Sequence, residues 1–208
     1  MGPVGRALAG LALLVAGSAT AAPARPPYDE YARAARYVVA RGAFGVMATA
    51  GDHSNADLDA ATPFSNVVSY SDGLYASDAH WNSTGIPYFY LTKFDPTAVD
   101  LDVNARASLT ISEAMHGGCE VDPESPICWR VTLSGVVRQT SGETERHGRE
   151  FVFSRHPTMA TWPADHHWIV YEMEIEKIFL LDYFGGAHHF SVQEYLDAKL
   201  EDDGLQQA

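Results

Sequence analysis

The sequence predicts a mainly β domain, a closed or nearly closed barrel with peripheral helices. About six short runs of β-forming residues are separated by clusters of Gly, Pro, Asn and Asp. The runs do not alternate with helices in a βαβ order, which excludes a doubly wound parallel sheet. The length of 208 residues is that of one domain, and neither a repeat nor a linker divides the chain.

The strand assignments rest on β-branched and aromatic residues and on alternation. In Trp168–Tyr183, apolar residues alternate with glutamates, which is typical of a half-exposed antiparallel strand. The other strands are predicted at Phe44–Ala50, Phe64–Tyr70, Ile86–Thr92, Arg106–Ser112 and Trp129–Gln139.

The helices are predicted from spacing and capping residues. Apolar residues recur at helical spacing over Tyr31–Arg41, and Gly42 is a helix stop. Asp95 followed by Pro96 is typical of a helix N-terminus, so a brief helix is expected there. The remaining helices are Glu143–His156 and one that opens at the capping box of Ser191 and Glu194 and runs through Leu200.

The charge of the chain argues against nucleic-acid binding. It carries 14 Lys and Arg against 27 Asp and Glu, a net charge of −13. Surfaces that bind nucleic acid need clustered basic side chains to neutralise phosphates. No segment is uniformly apolar over the roughly 20 residues that span a bilayer, so we expect no membrane anchor.

The N-terminus has the pattern of a secretory signal peptide. Arg6 precedes an apolar run at residues 7–16, and Ala19 and Ala21 form an A-x-A cleavage site. The predicted organisation is a signal peptide at residues 1–21, cleaved after Ala21 or Ala22, a flexible leader at 22–27 and one folded domain at 28–208.

Two further features agree with export. Cys119 and Cys128 are the only cysteines, and in an oxidising compartment such a pair most simply forms a disulfide. Two free buried thiols are the alternative, and a zinc site would lack its other ligands. Asn82 opens the only N-x-[ST] sequon, in a polar stretch, Ser77–Gly85, that we predict to be a surface loop. We therefore expect glycosylation at Asn82, with an unoccupied sequon as the alternative.

Seven short strings follow one another in a specific order. They are SYSDG at 69–73, GIPYFYL at 85–91, NARASLT at 104–110, DPESPIC at 122–128, LSG at 133–135, RHPTMATWP at 155–163 and LDYFGG at 181–186. Taken together, they resemble the CREG family, secreted glycoproteins described as cellular repressors of genes stimulated by an adenoviral oncoprotein. The resemblance covers essentially the whole chain after the leader, so residues 28–208 are expected to form a CREG-like domain.

The resemblance implies a split β-barrel related to FMN-binding oxidases of the pyridoxamine phosphate type, assembled as a homodimer. Those oxidases bind flavin at the dimer interface, whereas CREG proteins resemble relatives that lost the cofactor, with an insertion reaching into the former flavin site. It also implies the extracellular space and endolysosomal lumen as locations. The implied partner is a cell-surface receptor, notably the mannose 6-phosphate/insulin-like growth factor II receptor, and the implied role is control of growth and differentiation.

The flavin phosphate site is incomplete in this sequence. A flavin phosphate needs Arg or Lys together with hydroxyl or N–H donors. Ser69, Ser71, Thr92 and Lys93 match positions of flavin-binding relatives, but Phe94 occupies the second basic position, and the 51 residues before Lys93 contain no Arg or Lys. We interpret the four as a vestigial cofactor site, with a solvated Lys93 at the barrel edge, and expect neither bound FMN nor catalysis. An FMN-dependent oxidoreductase with an atypical phosphate site is the alternative.

Other residue groups have weaker interpretations. The histidine pairs at 166–167 and 188–189 lack metal-ligand spacing, so no metal site is expected. Protonation of all nine histidines would make dimerisation and stability depend on pH. The loop Asn55–Pro63 and the Cys119 to Cys128 loop are candidate recognition surfaces. An aromatic group is assigned to the core or to a dimer seam; it comprises Trp162, Trp168, Tyr183 and Phe184.

A nuclear transcriptional corepressor is a further alternative, suggested by the family's description. The signal peptide, the sequon and the acidic charge oppose it. No nucleophile or phosphate-loop motif supports hydrolase or kinase chemistry.

Overall fold

A computed structural model describes residues 25–51, 59, 62–77 and 80–200. The predicted signal peptide and most of the Asn55–Pro63 loop lie outside these residues. The described strands are β1 (Phe44–Thr49), β2 (Phe64–Ser77), β3 (His80–Thr92), β4 (Arg106–Ser112), β5 (Arg130–Gln139) and β6 (Trp168–Leu181). They close into an antiparallel barrel in the order β1-β2-β3-β6-β5-β4, which confirms the predicted fold class.

Four helices lie outside the described barrel, and their starts match the sequence signals. They are α1 (Tyr31–Arg41), α2 (Pro96–Val103), α3 (Gly142–Arg155) and α4 (Val192–Asp197). The Asp95 side chain accepts a hydrogen bond from the Thr97 N–H at 2.8 Å, as its capping position predicts. No helix in the described part of the chain has the length and apolar character needed to cross a membrane.

The last helix is shorter than predicted. The capping box of Ser191 and Glu194 forms, but α4 ends at Asp197 and does not reach Leu200. Arg36 donates to the Leu196 carbonyl at 3.2 Å, so a side chain from α1 takes an acceptor that another helical turn would use.

The hairpin of β2 and β3 is longer than predicted. β2 continues to Ser77 instead of ending at Tyr70, and β3 begins at His80 instead of Ile86. Polar residues dominate this extension, so the alternation of apolar and polar residues that identifies a strand is absent there.

The sequon lies in this hairpin, so the predicted loop over residues 77–85 was wrong. Asn82 pairs with Leu74 across the hairpin, and its side chain is exposed. The strands approach closely at Gly73, where a Cβ would lie 1.8 Å from the Asn82 carbonyl oxygen. Only glycine fits that position without a shift of the backbone.

Two apolar clusters hold the fold together. The larger one fills the barrel interior and continues under α1, whereas a smaller one joins α3 to the outer face of β3 and β6. The largest fully buried side chains of the interior include Met47, Tyr70, Phe89, Leu109, Ile111, Leu133 and Tyr171.

Three of the four aromatic residues assigned to the core or a dimer seam are exposed. Trp162, Tyr183 and Phe184 lie in turns outside the strands, and 67% of Phe184 is accessible. Only Trp168 is half-buried, stacked on Tyr90 with ring centroids 5.3 Å apart. The assignment to the core was therefore wrong for these three, while a place in a dimer seam stays a prediction.

Candidate functional site

Among the four predicted cofactor residues, the structure separates Ser71 from Thr92 and Lys93. Ser69 and Ser71 lie on β2, Thr92 ends β3, and Lys93 follows it. Ser71 pairs with Tyr88, which precedes Thr92 by four residues, a separation of about 13 Å along a strand. A phosphate group is too small to contact both ends of that distance.

Two hydroxyl groups of this set, those of Ser71 and Thr92, already have protein partners. Ser71 is buried, and its hydroxyl donates to the Gly73 carbonyl at 2.7 Å. The Thr92 hydroxyl donates to the His166 carbonyl and accepts from the Phe94 N–H at 3.3 Å. Neither hydroxyl is positioned to donate a hydrogen bond to a phosphate.

The remaining cation is paired as well. The Lys93 ammonium forms a salt bridge with the Asp102 carboxylate, and the other oxygen of that carboxylate accepts from Gln139 at 2.8 Å. The predicted solvated lysine is therefore held at the barrel edge by an ion pair.

Helix α3 supplies arginines that the sequence order did not place near the barrel. Arg149 donates to the Tyr90 hydroxyl at 3.2 Å and to Glu145 at 2.8 Å. Arg155 donates to the carbonyls of Ala40 and Arg41 at 3.0 and 2.9 Å. Since both guanidinium groups hold the scaffold together, these residues do not fit the requirements of a flavin phosphate.

Aromatic side chains surround the position where a flavin enzyme would carry its second cation. Phe94 is 63% exposed, and its ring meets His166 edge to face at 5.6 Å. Trp168 stacks on Tyr90, and Trp162 packs against Trp168 at 4.6 Å. The sequence indicated this cluster through the residue type of Phe94 and through the aromatic group that contains Trp162 and Trp168.

A buried polar cluster joins α1 to the β2–β3 hairpin and α4. Arg36 is 4% exposed, and it donates to the Ser83 carbonyl at 2.7 Å and to the Leu196 carbonyl at 3.2 Å. The Ser83 hydroxyl donates to Asp72, which also accepts from the Gly85 N–H at 3.3 Å. Burial raises the pKa of Asp72. No motif or spacing in the sequence indicated this cluster, which we call the Arg36 clamp.

The predicted disulfide between Cys119 and Cys128 is confirmed. Beside it lies buried Glu113, which accepts from the Trp129 N–H at 3.0 Å and from Arg25 at 2.7 Å. Arg25 also lies 3.8 Å above the centre of the Trp129 ring. Burial raises the pKa of Glu113. Arg25, in the segment predicted to be a flexible leader, thus contacts the folded domain.

A second buried carboxyl lies at the end of β6. Asp182 is 1% exposed, and its carboxylate oxygens have no hydrogen-bond partner among the described residues. The His188 Nε2 lies 3.4 Å away, and Tyr31 stacks on the His188 ring at 3.7 Å. Burial raises the pKa of Asp182.

This carboxyl yields a test of pH dependence. Folding raises the pKa of Asp182 above its ordinary value of 3.8, so this carboxyl contributes most to stability at a pH below 3.8. The contribution is lost as the pH rises through the raised pKa. We expect Asp182→Asn to raise the thermal midpoint at pH 7.4 by about 2–4 °C and the gain to shrink toward pH 4.

Thermal unfolding of both proteins across this range gives the measurement. Burial lowers the pKa of His116 and of His156, so both weaken the fold as the pH falls below 6.5, but equally in the two proteins. A gain that is the same at pH 4 and pH 7.4 would contradict the role of Asp182.

Within the described ranges, no three His, Cys, Asp or Glu side chains lie together in a way that could hold a metal ion. The closed barrel of six strands, with α1 and α4 packed against each other, has the fold of a class of proteins, the split barrels of the pyridoxamine phosphate oxidase type. A family model described as CREG, beta-barrel matches residues 26–197. The chain belongs to the CREG family.

Individual relatives agree with this assignment. Protein CREG1 of Gallus gallus is 36% identical over 177 residues, which are 84% of this chain and 89% of the relative. Protein CREG2 of Homo sapiens is 38% identical over 170 residues, which are 80% of this chain and 56% of the relative.

Two solved structures share the fold at low sequence identity. A heme binding protein from Mycobacterium smegmatis has a TM-score of 0.62 at 16% identity, over 82% of this chain and 61% of that chain. A Clostridium acetobutylicum protein of the pyridoxinephosphate oxidase family has a TM-score of 0.52 at 10% identity, over 80% of this chain and 98% of that chain. These likenesses concern the fold alone.

Proposed function

We propose that this protein acts by binding partners and not by catalysis, as a secreted and endolysosomal glycoprotein in the control of cell growth and differentiation. One observation carries the proposal: the groups that would hold a flavin phosphate, Thr92 and Lys93, are engaged by His166 and Asp102. Membership of the CREG family supports the same role. The predicted signal peptide and sequon agree with secretion.

The proposed assembly is a homodimer. It is supported by apolar side chains that β1 and β2 expose on the outside of the barrel, since exposed apolar patches often mark interaction sites. Phe44 and Val67 are the clearest cases, and 61% of Val67 is accessible. The proposed partner of the dimer is a receptor of the mannose 6-phosphate type, which would recognise a phosphorylated glycan on Asn82.

The test is a flavin titration of the secreted protein, followed by fluorescence quenching, with sedimentation of the same sample. We expect a dimer that leaves FMN free, because Lys93 is paired with Asp102 and the hydroxyl groups of Ser71 and Thr92 are engaged within the protein. Micromolar or tighter binding would overturn the proposal and favour an FMN-dependent oxidoreductase, the alternative that the shared barrel fold supports.

A matched variant shows whether the ion pair of Lys93 alone prevents FMN binding. Asp102→Asn releases Lys93 from its ion pair without touching the hydroxyl groups. If the paired lysine alone prevented binding, this variant would take up FMN, whereas we expect it to remain free of flavin because Ser71 and Thr92 stay engaged.

A further inference from the structure

A polar cleft lies between the start of β3 and the segment that follows α4. Its volume is about 420 Å³, within the range of about 300–1,000 Å³ typical of small-molecule sites. One wall is formed by residues 82–84, the other by Leu196 and residues 198–200, and Arg36 lies between them. The exposed Asn82 side chain therefore stands at the edge of a cleft large enough for a ligand.

The two walls are fixed by the same guanidinium group. Arg36 holds the Ser83 carbonyl of one wall at 2.7 Å and the Leu196 carbonyl of the other at 3.2 Å. Strand pairing with Leu74 fixes the position of Asn82. The cleft is thus formed before any ligand enters, and an occupant would not have to order it.

The chemistry of the cleft suits a sugar attached at its edge. The Lys199 ammonium is a polar group for sugar hydroxyls, and Leu196 and Leu200 offer apolar surface for the carbon face of a sugar ring. An N-linked glycan begins with N-acetylglucosamine on the asparagine side-chain nitrogen, so its first sugars are held beside the cleft at a high effective concentration.

We propose that the glycan on Asn82 seats its first one or two sugars in this cleft and so stabilises the chain that follows α4. The proposal rests on the glycosylation that the proposed function includes. The occupant is the protein's own N-linked core, in contact with both walls above the Arg36 clamp.

The experiment compares three forms of the secreted full-length protein, made in cells that attach high-mannose glycans. One keeps its glycan, one is trimmed by endoglycosidase H to a single N-acetylglucosamine, and one is Asn82→Gln. We expect the first two to share one thermal midpoint and the variant to unfold about 2–4 °C lower. Amide hydrogen exchange at residues 196–200 should be several-fold faster in the variant alone.

A variant on the opposite wall distinguishes binding of the sugars in the cleft from a general effect of glycosylation on stability. Leu200→Ala should lower the midpoint of the glycosylated protein more than that of Asn82→Gln, since the sugar couples the two sites. If Asn82→Gln is not secreted, complete deglycosylation of the purified protein with peptide-N-glycosidase F supplies the form without sugar, with an aspartate in place of Asn82.

Equal midpoints and equal exchange in all three forms would overturn the proposal. So would an intact mass showing that secreted protein carries no glycan, an outcome that would leave the proposed partner-binding role standing. Flavin binding in the titration above would instead remove the proposed function without bearing on the cleft.

Discussion

Replacing Arg36 with Met is expected to lower the free energy of unfolding by about 3–5 kcal/mol. The variant removes charge-assisted hydrogen bonds to the Ser83 and Leu196 carbonyls and leaves both acceptors without that donor in a buried place. It also removes a positive charge that lowers the pKa of buried Asp72. Denaturant unfolding at fixed pH measures the loss, which corresponds to a thermal shift of about 10 °C.

The loss should depend on pH in a defined direction. Without Arg36 the pKa of Asp72 rises further. The free energy of unfolding therefore decreases more in the variant than in the parent as the pH increases. The variant should therefore be more impaired at pH 7.4 than at pH 5. Equal losses at the two pH values would show that the carbonyl contacts alone account for the effect.

Two substitutions serve as controls for this prediction. Arg36→Lys keeps the charge but not the planar fork that reaches two carbonyls, so an intermediate loss is expected. Arg146→Met removes an arginine whose partner, Glu143, lies on the exposed face of α3, and it should leave stability unchanged. A midpoint for Arg36→Met within 2 °C of the parent, about the value expected for such a surface change, would refute the clamp.

The barrel was predictable because most of its strands face a core on one side only. In β6, buried residues such as Tyr171 and Met173 alternate with more exposed glutamates, and this period of two is visible in the sequence. The extension of β2 and β3 was not predictable, because its polar residues lack that alternation and its path depends on the close approach at Gly73.

The candidate site was predictable only in its local parts. The disulfide and the helix cap at Asp95 involve residues close in sequence, and both are confirmed. The His166 carbonyl that accepts from Thr92 is 74 residues away in the chain, and the Ser83 and Leu196 carbonyls that accept from Arg36 are 47 and 160 residues away. A backbone carbonyl carries no sequence signature, so the bonds that engage the Thr92 hydroxyl and form the Arg36 clamp appear only in three dimensions.

Removing the disulfide by Cys119→Ser and Cys128→Ala is expected to cost about 3 kcal/mol. The bridge spans nine positions in sequence, and closing a loop of this size restricts the unfolded chain by about that amount. Unfolding of the double variant, compared with the parent before and after reduction, gives the measurement. Reduced parent and double variant should unfold together, and a double variant as stable as the oxidised parent would contradict the prediction.

The same variant tests whether the closed loop holds the residues before α1. Arg25 donates to the Ile127 carbonyl inside the loop at 2.8 Å and to Glu113 beside it. Arg25→Ala should destabilise the oxidised parent more than the double variant, because opening the loop already releases Ile127. A loss that is identical in both backgrounds would mean that Glu113 and the Trp129 ring hold Arg25 without help from the loop.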